Sequence, residues 1–141
     1  MKEVFFAAML LCAAACGRAD GGAPRCPECG MVIHGSPRWN AGLTTRDGKR
    51  RTFDTPRCML RYARSAAGRG AKDAWVRDYY GQRRIPAASA RFVVGSDVLG
   101  PMGPDLVPLA DLPAAERFGE EHGGRAILSF DEIRPDDLRG R

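Results

Sequence analysis

The sequence lacks the features that usually mark an enzyme or a nucleic-acid-binding protein. It has no Ser/His/Asp set, no paired-carboxylate site in a supporting context and no phosphate-binding loop. Its net charge is +5, and 19 of its 22 basic residues are Arg, but these are scattered among acidic residues without an aromatic-interleaved basic cluster. We therefore expect no enzymatic activity and no nucleic-acid partner.

The sequence also lacks a hydrophobic run that could cross a bilayer. The longest run, residues 4–15, has 12 apolar residues, which is too short for a stable span but fits a secretory signal. Small residues, then Cys16 and Gly17, are typical of bacterial lipoproteins. We expect residues 1–15 to be a lipoprotein signal peptide, Cys16 to carry lipid and residues 16–25 to be a flexible tether. Simple secretion with cleavage near Ala15 is the alternative.

This N-terminus indicates where the mature protein works. A lipid on Cys16 would anchor the chain to a bacterial membrane, on its periplasmic side. We expect the outer membrane to hold the anchor.

Cysteine is scarce in the mature chain, and there is no second Cys-x-x-Cys. Once Cys12 and Cys16 are set aside, an odd number of three thiols remains: Cys26, Cys29 and Cys58. Two of them belong to the stretch Cys26-Pro27-Glu28-Cys29-Gly30-Met31, which places two thiols and a thioether within six residues. Thiolates and thioethers are soft ligands that select Cu(I), zinc or iron–sulfur clusters, and Met31 favours Cu(I).

Three other roles for this stretch stay open. The spacing of Cys26 and Cys29 is also compatible with a structural disulfide between them, or with the active site of a periplasmic thiol–disulfide reductase. The shape Cys-Pro-x-Cys-Gly is also common in zinc knuckles. A closed zinc site needs four ligands, which would have to come from an irregular set that includes Cys58, His34 or His122.

Further candidate ligands lie outside the motif. Met102 stands between turn-forming Gly and Pro residues in a loop over residues 95–104, outside any amphipathic pattern, so it either packs in the core or serves as a half-exposed soft ligand. Cys58 and Met59 begin a predicted helix and either pack in the core or face the motif. His34 follows the motif closely. His122 ends a helix, where a cationic side chain suits the helix dipole, so a structural role is favoured.

Hydrophobic periodicity predicts an α+β fold with mainly antiparallel sheet. We expect strands at residues 39–45, 51–53, 74–80, 90–94, 106–110 and 126–130, with an Asp47-Gly48 hairpin turn after the first. We expect helices at residues 56–67, capped by Thr55, and 113–122, capped by Asp111 and ended by Gly123-Gly124. Residues 26–70 would form an N-terminal unit with the metal motif, residues 71–133 a C-terminal α+β unit, and residues 134–141 a charged, frayed tail.

The order and spacing of several segments together resemble one family. These segments are the Cys26–Met31 motif after a lipoprotein-like leader, Phe53-Asp54 leading to Met59, Asp78-Tyr79-Tyr80, residues 90–98, Gly100-Pro101-Met102-Gly103, His122-Gly123-Gly124 and residues 130–133. They resemble the NosL family of copper-binding lipoproteins, accessory to nitrous oxide reductase. One difference is Cys58, which stands where many members of that family have Asp.

The resemblance implies a fold and a function. The fold would consist of two small ββαβ-like units. The function would be that of a periplasmic Cu(I) metallochaperone that delivers copper for the maturation of nitrous oxide reductase. The reductase and the membrane-bound Nos maturation proteins are the implied partners, and a metal-bridged homodimer is a further expectation.

Soft-ligand chemistry then ranks the candidate copper ligands. Met31 and Met102 come first, with Cys26 or Cys29 as thiolate donors, because thioethers bind weakly enough to let a carrier release its metal. Cys58, Met59 and His34 are second choices.

Overall fold

A computed structural model describes residues 22–33 and 37–139 of the chain. The predicted signal peptide, the lipidation site Cys16 and the candidate ligand His34 lie outside the described residues. Over the ranges that are described, no helix combines the length and the apolar character needed to span a membrane.

The first sheet has four strands and begins with the predicted hairpin. Its strands are β1 (Ala41–Thr44), β2 (Arg50–Phe53), β3 (Lys72–Arg77) and β4 (Arg84–Pro86), in the order β2-β1-β3-β4. A short 3₁₀ helix, Pro37–Trp39, precedes β1. Gly48 has φ +82°, a conformation that glycine adopts without strain, so the Asp47-Gly48 turn forms where the sequence predicts it.

Helix α1 (Pro56–Arg64) packs on β1 and β2. Thr55 caps it and Pro56 is its first residue, as predicted. The helix ends three residues before the predicted end, because the backbone N–H of Ser65 already bonds the carbonyls of Arg61 and Tyr62 and a turn follows.

The second sheet has three strands and carries helix α2. Along the chain, the first and second strands of this sheet are separated by a small hairpin of β6 (Leu99–Gly100) and β7 (Gly103–Pro104), within the segment predicted as a loop. The sheet itself contains β5 (Arg91–Val94), β8 (Val107–Leu109) and β9 (Ala126–Ser129), in the order β8-β5-β9. Helix α2 (Leu112–His122) is capped by Asp111 and ended by Gly123, with φ +67°, as predicted.

Every strand pairing in the described chain is antiparallel. The prediction of an α+β fold with mainly antiparallel sheet and two ββαβ-like units is therefore confirmed. The boundary predicted near residue 70 stays a prediction, although β3 and β4 lie after it and continue the first sheet.

The C-terminal residues differ from the frayed tail that the sequence predicts. Pro135–Leu138 form a 3₁₀ helix that contacts α1. Ile133 and Leu138 are buried in the same core as Phe53 and Met59. The two apolar side chains hold this otherwise charged segment against the first unit, since burying them removes apolar surface from water.

Candidate metal centre

The motif loop folds tightly enough to bring its two cysteines together. The backbone N–H of Gly30 donates to the carbonyl of Cys26 over 2.9 Å, and the N–H of Cys26 donates to the carbonyl of Met31 over 2.8 Å. Gly30 has φ +77°, so a side chain at this position would be strained. These bonds close residues 26–31 into a compact turn, flanked by a bridge between Arg25 and Val32.

The third cysteine lies in the first turn of α1, where every backbone donor is used. Pro56 has no N–H, and the N–H of Arg57 donates to Oδ1 of Asp105 over 3.2 Å. The N–H of Cys58 donates to Oγ1 of Thr55, also over 3.2 Å, and that of Met59 to the Thr55 carbonyl. This complete set of bonds holds Cys58 in one place at the start of the helix.

Four potential ligands from these two segments meet at one point, which we call the Cys/Asp cluster. It consists of Cys26, Cys29, Cys58 and Asp54, whose sulfur or carboxylate oxygen atoms all lie within 4.8 Å of one another. Cys26, Cys58 and Asp54 are buried, and Cys29 is half-buried. Cys29 Sγ lies 3.6 Å from both carboxylate oxygens of Asp54. The cluster therefore offers three soft donors and one hard donor in a protected position.

The three thiols differ in acidity. A hydrogen bond from the Cys58 thiol, helped by backbone N–H groups of Asp54 and Cys29, lowers the pKa of Cys26 to about 6 in spite of burial. The same interaction raises the pKa of Cys58, and burial raises it further. Burial also raises the pKa of Cys29. Near neutral pH the cluster thus holds one thiolate at Cys26, and a metal would displace protons from the other two sulfurs.

A cavity of about 220 Å³ opens beside the cluster. Cys29 and Cys58 line it together with Met102, which comes from the turn between β6 and β7. Glu28 and Arg61 also line it, and they form an ion pair of 3.1 Å between the motif loop and α1. The cavity gives a metal in the cluster a path to the surface and a thioether close to that path.

The structure brings some of the predicted ligands together and separates others. Cys26, Cys29 and Cys58 meet in the cluster, and Met102 lies at the adjoining cavity. Met31 is 37% exposed and is not among the residues that line the cavity, whereas Met59 is fully buried in the core. Which of these side chains bind metal stays a prediction.

Asp54 is the cluster member that sequence reasoning missed as a ligand. It lies between the end of β2 and the N-cap Thr55, where its buried carboxylate faces the motif loop. A charged residue between a predicted strand and a predicted N-cap, four positions before Cys58, was the available signal. Nothing in a one-dimensional pattern brings that position to Cys26 and Cys29.

Two structural roles were expected as alternatives to metal binding: a Cys26–Cys29 disulfide, and a helix-end role for His122. All three described cysteines are free, with no disulfide between Cys26 and Cys29. His122 Nδ1 lies 3.0 Å from Oδ1 of Asp97, within hydrogen-bond distance, and the ring packs on Phe118, which fits the structural role expected for it.

Comparisons with known proteins agree with this geometry. The sequence model of the NosL family matches residues 21–138. A search of curated proteins finds no match. Among solved structures, the crystal structure of the copper chaperone NosL from Shewanella denitrificans is similar at a TM-score of 0.70 and 27% identity, covering 80% of this chain and 91% of that one. Because the family match spans most of the sequence and includes the Cys/Asp cluster, the chain belongs to the NosL family.

Proposed function

We propose that this protein is a Cu(I) carrier that binds the metal at the Cys/Asp cluster. The observation that carries this proposal is the meeting of three cysteine sulfurs and one carboxylate within 4.8 Å. Three soft sulfurs suit Cu(I), which accepts two or three such ligands. Binding and release of a metal is a non-enzymatic role, in line with the solved NosL from Shewanella denitrificans, which is a copper chaperone.

The surroundings of the cluster favour reversible binding, in which the metal can be released again. Cys29 is half-buried, and the adjoining cavity has Met102 on its wall with 42% of its surface exposed. A neutral thioether at the exit is a weaker ligand than the buried thiolates. Copper can therefore pass from Cys29 and Cys58 toward the surface without losing all of its soft ligands at once.

The site of action and the partners follow from the sequence rather than from the described residues. We propose that lipid on Cys16 holds the protein at the periplasmic side of a bacterial membrane. Its copper would go to nitrous oxide reductase, with the membrane-bound Nos maturation proteins as further partners. A homodimer that shares one copper ion is part of the same proposal, because Cys29 is only half-buried and a second chain could supply a further ligand.

A structural zinc site is the second candidate function. The cluster offers four donors, the number that a closed zinc site needs, and Asp54 supplies a hard oxygen that Cu(I) does not favour. A zinc site would make the fold depend on the metal, so chelation would unfold the protein. A Cu(I) carrier stays folded without its cargo, because the apolar side chains of its two cores, such as Phe53 and Phe118, pack without help from a metal.

An anaerobic metal titration separates these candidates. The full chain in mild detergent, with Cys12 and Cys16 replaced by Ser so that three thiols remain, would be titrated with Cu(I) and, in parallel, with zinc, each against a competing chelator. We expect tight Cu(I) binding, weak zinc binding and an unchanged melting temperature after chelation. Cys26→Ser should weaken Cu(I) binding by more than the 10- to 100-fold typical for residues that only support a ligand.

Each competing result has a clear meaning. Tight zinc binding with unfolding on chelation would replace the copper carrier with a zinc protein. Absence of metal binding together with ready Cys26–Cys29 oxidation and reduction of insulin would indicate a thiol–disulfide reductase. Ser96→Ala is the control and should leave Cu(I) affinity unchanged, because Ser96 belongs neither to the cluster nor to the cavity lining and its buried hydroxyl has no hydrogen-bond partner within the described chain.

A further inference from the structure

The hairpin that carries Met102 is too small to hold its own position. Its strands β6 and β7 have two residues each and pair only with one another, apart from the two larger sheets. An isolated two-stranded hairpin of this length is marginal in water. Met102 nevertheless lies at the cavity beside Cys29 and Cys58, so contacts outside the hairpin must keep it there.

Asp105, the residue directly after the hairpin, supplies those contacts. Its side chain is 1% exposed. Its Oδ1 accepts from the backbone N–H of Leu106 over 2.8 Å and from that of Arg57 over 3.2 Å. Arg57 is the second residue of α1 and the neighbour of Cys58, so one carboxylate oxygen joins the base of the hairpin to the helix turn that holds a cluster thiol.

The other strand of the hairpin is packed against the same side chain. A β-carbon added to Gly100 would lie 3.1 Å from Cβ of Asp105, closer than an ordinary van der Waals contact. Both strands of the hairpin therefore rest on Asp105. Movement of this side chain would move Met102 relative to Cys58.

The second carboxylate oxygen shows that this arrangement is costly. Oδ2 of Asp105 lies 4.0 Å from the Arg57 guanidinium, too far for a hydrogen bond. Within the described chain, neither this oxygen nor Nε of Arg57 has a hydrogen-bond partner, although both are buried. Buried polar atoms without partners reduce stability, and a carboxylate in this position therefore needs a reason beyond packing.

We infer that Asp105 is a positioning residue that holds Met102 at the cavity beside the Cys/Asp cluster. The inference rests on the proposed copper function. Asp105 acts through the hairpin and through the first turn of α1, and it fixes the distance between the two. Without it, Met102 moves away from the cavity and copper loses a soft donor on its way to the surface.

A double-mutant cycle on the full chain tests this role. Cu(I) affinity would be measured by chelator competition for Asp105→Ala, Met102→Leu and the double variant. We expect Asp105→Ala to weaken Cu(I) binding by about 10- to 100-fold, as for other residues that orient a ligand. In the Met102→Leu background the same change should have a smaller effect, because no thioether is left to position and only the bond to Arg57, in the first turn of α1, is lost.

Two further variants keep the test interpretable. Asp105→Asn retains an oxygen that can accept from both N–H groups and should keep most of the affinity, even if Asp105→Ala folds poorly. Asp111→Ala removes an aspartate that also accepts a backbone N–H at a helix start, but in the second unit, and should leave Cu(I) affinity unchanged.

A metal-free measurement separates this inference from the copper function itself. The rates at which dilute peroxide oxidises Met102 and Met31 to the sulfoxide would be compared by mass spectrometry after the thiols are blocked. In Asp105→Ala the Met102 rate should rise relative to the Met31 rate. Unchanged relative rates, or an equal loss of Cu(I) affinity with and without Met102, would overturn the positioning role. Failure of the unsubstituted protein to bind Cu(I) would instead overturn the proposed function.

Discussion

The two helices of this protein begin in nearly the same way and serve different purposes. Thr55 caps α1 and Asp111 caps α2, each followed by Pro within the first two helical positions. The third residue after each cap donates its N–H to the cap side chain: Cys58 in α1 and Ala114 in α2. The backbone construction is shared, but only α1 places a thiol at this position.

The surroundings of the two helix starts differ as well. The first five residues of α1 are all buried, between the first sheet, the motif loop and Asp105. In the corresponding part of α2 only Ala115 is fully buried, and the helix packs mainly through Ala115 and Phe118. A capped helix start is therefore a local feature that any unit can have. It becomes a metal site only where other segments cover it with ligands.

Exchanging the residues at the two equivalent positions tests this comparison with the largest expected effect. Cys58→Ala gives α1 the residue of α2, and we expect Cu(I) affinity to fall by more than about 100-fold, beyond the loss typical of a merely supporting residue. Ala114→Cys gives α2 a thiol with no ligands around it, and we expect no second copper site. Chelator competition with Cu(I) measures both.

The folding of these variants is the control. Both should melt cooperatively near the parent temperature, because neither change opens a large cavity. Unchanged Cu(I) affinity in Cys58→Ala would show that Cys26 and Cys29 bind copper without the helix. A second equivalent of copper on Ala114→Cys would show that a helix start alone suffices.

The second-largest effect is expected in the pH titration of the three cluster thiols. With Cys12 and Cys16 replaced by Ser, the ultraviolet absorbance of thiolate should rise in a first step near pH 6, as the Cys26 thiol loses its proton. The remaining steps should come above pH 9.0, since the pKa values of Cys29 and Cys58 are raised. A lowered pKa means that the charged form appears at lower pH, so the first step precedes the usual thiol range.

Removing one partner should reverse that shift. In Cys58→Ala the first step should move up toward pH 9.0, because the hydrogen bond from Cys58 is the largest cause of the low pKa of Cys26. In denaturant all three thiols should titrate together. A first step near pH 6 that persists in Cys58→Ala would assign the shift to the backbone N–H groups instead.

Substituting the residues that cap the two helices should have the smallest effect and should compare the two units most directly. Thr55→Ala and Asp111→Ala should each lower the free energy of unfolding by about 1 kcal/mol, measured by denaturant titration. Thr55→Ala should also weaken Cu(I) binding, because it frees the backbone of Cys58. Thr55→Ser keeps the hydroxyl and should restore both properties. Equal loss of copper affinity in Asp111→Ala would show that the effect comes from general stability.

Much of the fold follows from local patterns. The Asp47-Gly48 turn, the Thr55 and Asp111 caps and the Gly123 helix end lie where the sequence predicts them, because each depends on a few neighbouring residues. The predictions were less accurate where distant contacts decide. Strand β3 ends at Arg77 rather than residue 80, because the Asp78 side chain accepts from the N–H groups of Gly81 and Ala110 and turns the chain.

The short elements were missed for the same reason. Strand β4 and the hairpin of β6 and β7 have two or three residues each, too few for a periodic pattern. The 3₁₀ helix at Pro135–Leu138 looks like solvated charge in the sequence, but the burial of Ile133 and Leu138 in the first core orders it. Local composition describes such segments poorly, since their stability comes from what they pack against.

The sequence by itself determined the chemistry available to this protein. Two cysteines, a glycine and a methionine within residues 26–31 dictate a tight turn with soft donors, and no other part of the chain needs to be known for that conclusion. Only the tertiary structure decided that Cys58 and Asp54 join the two cysteines. It also decided that Met102 lies beside them on a hairpin held by Asp105. The physical reason is that ligand geometry depends on distances between segments 25 to 80 residues apart in the chain, which are fixed by packing and not by local sequence.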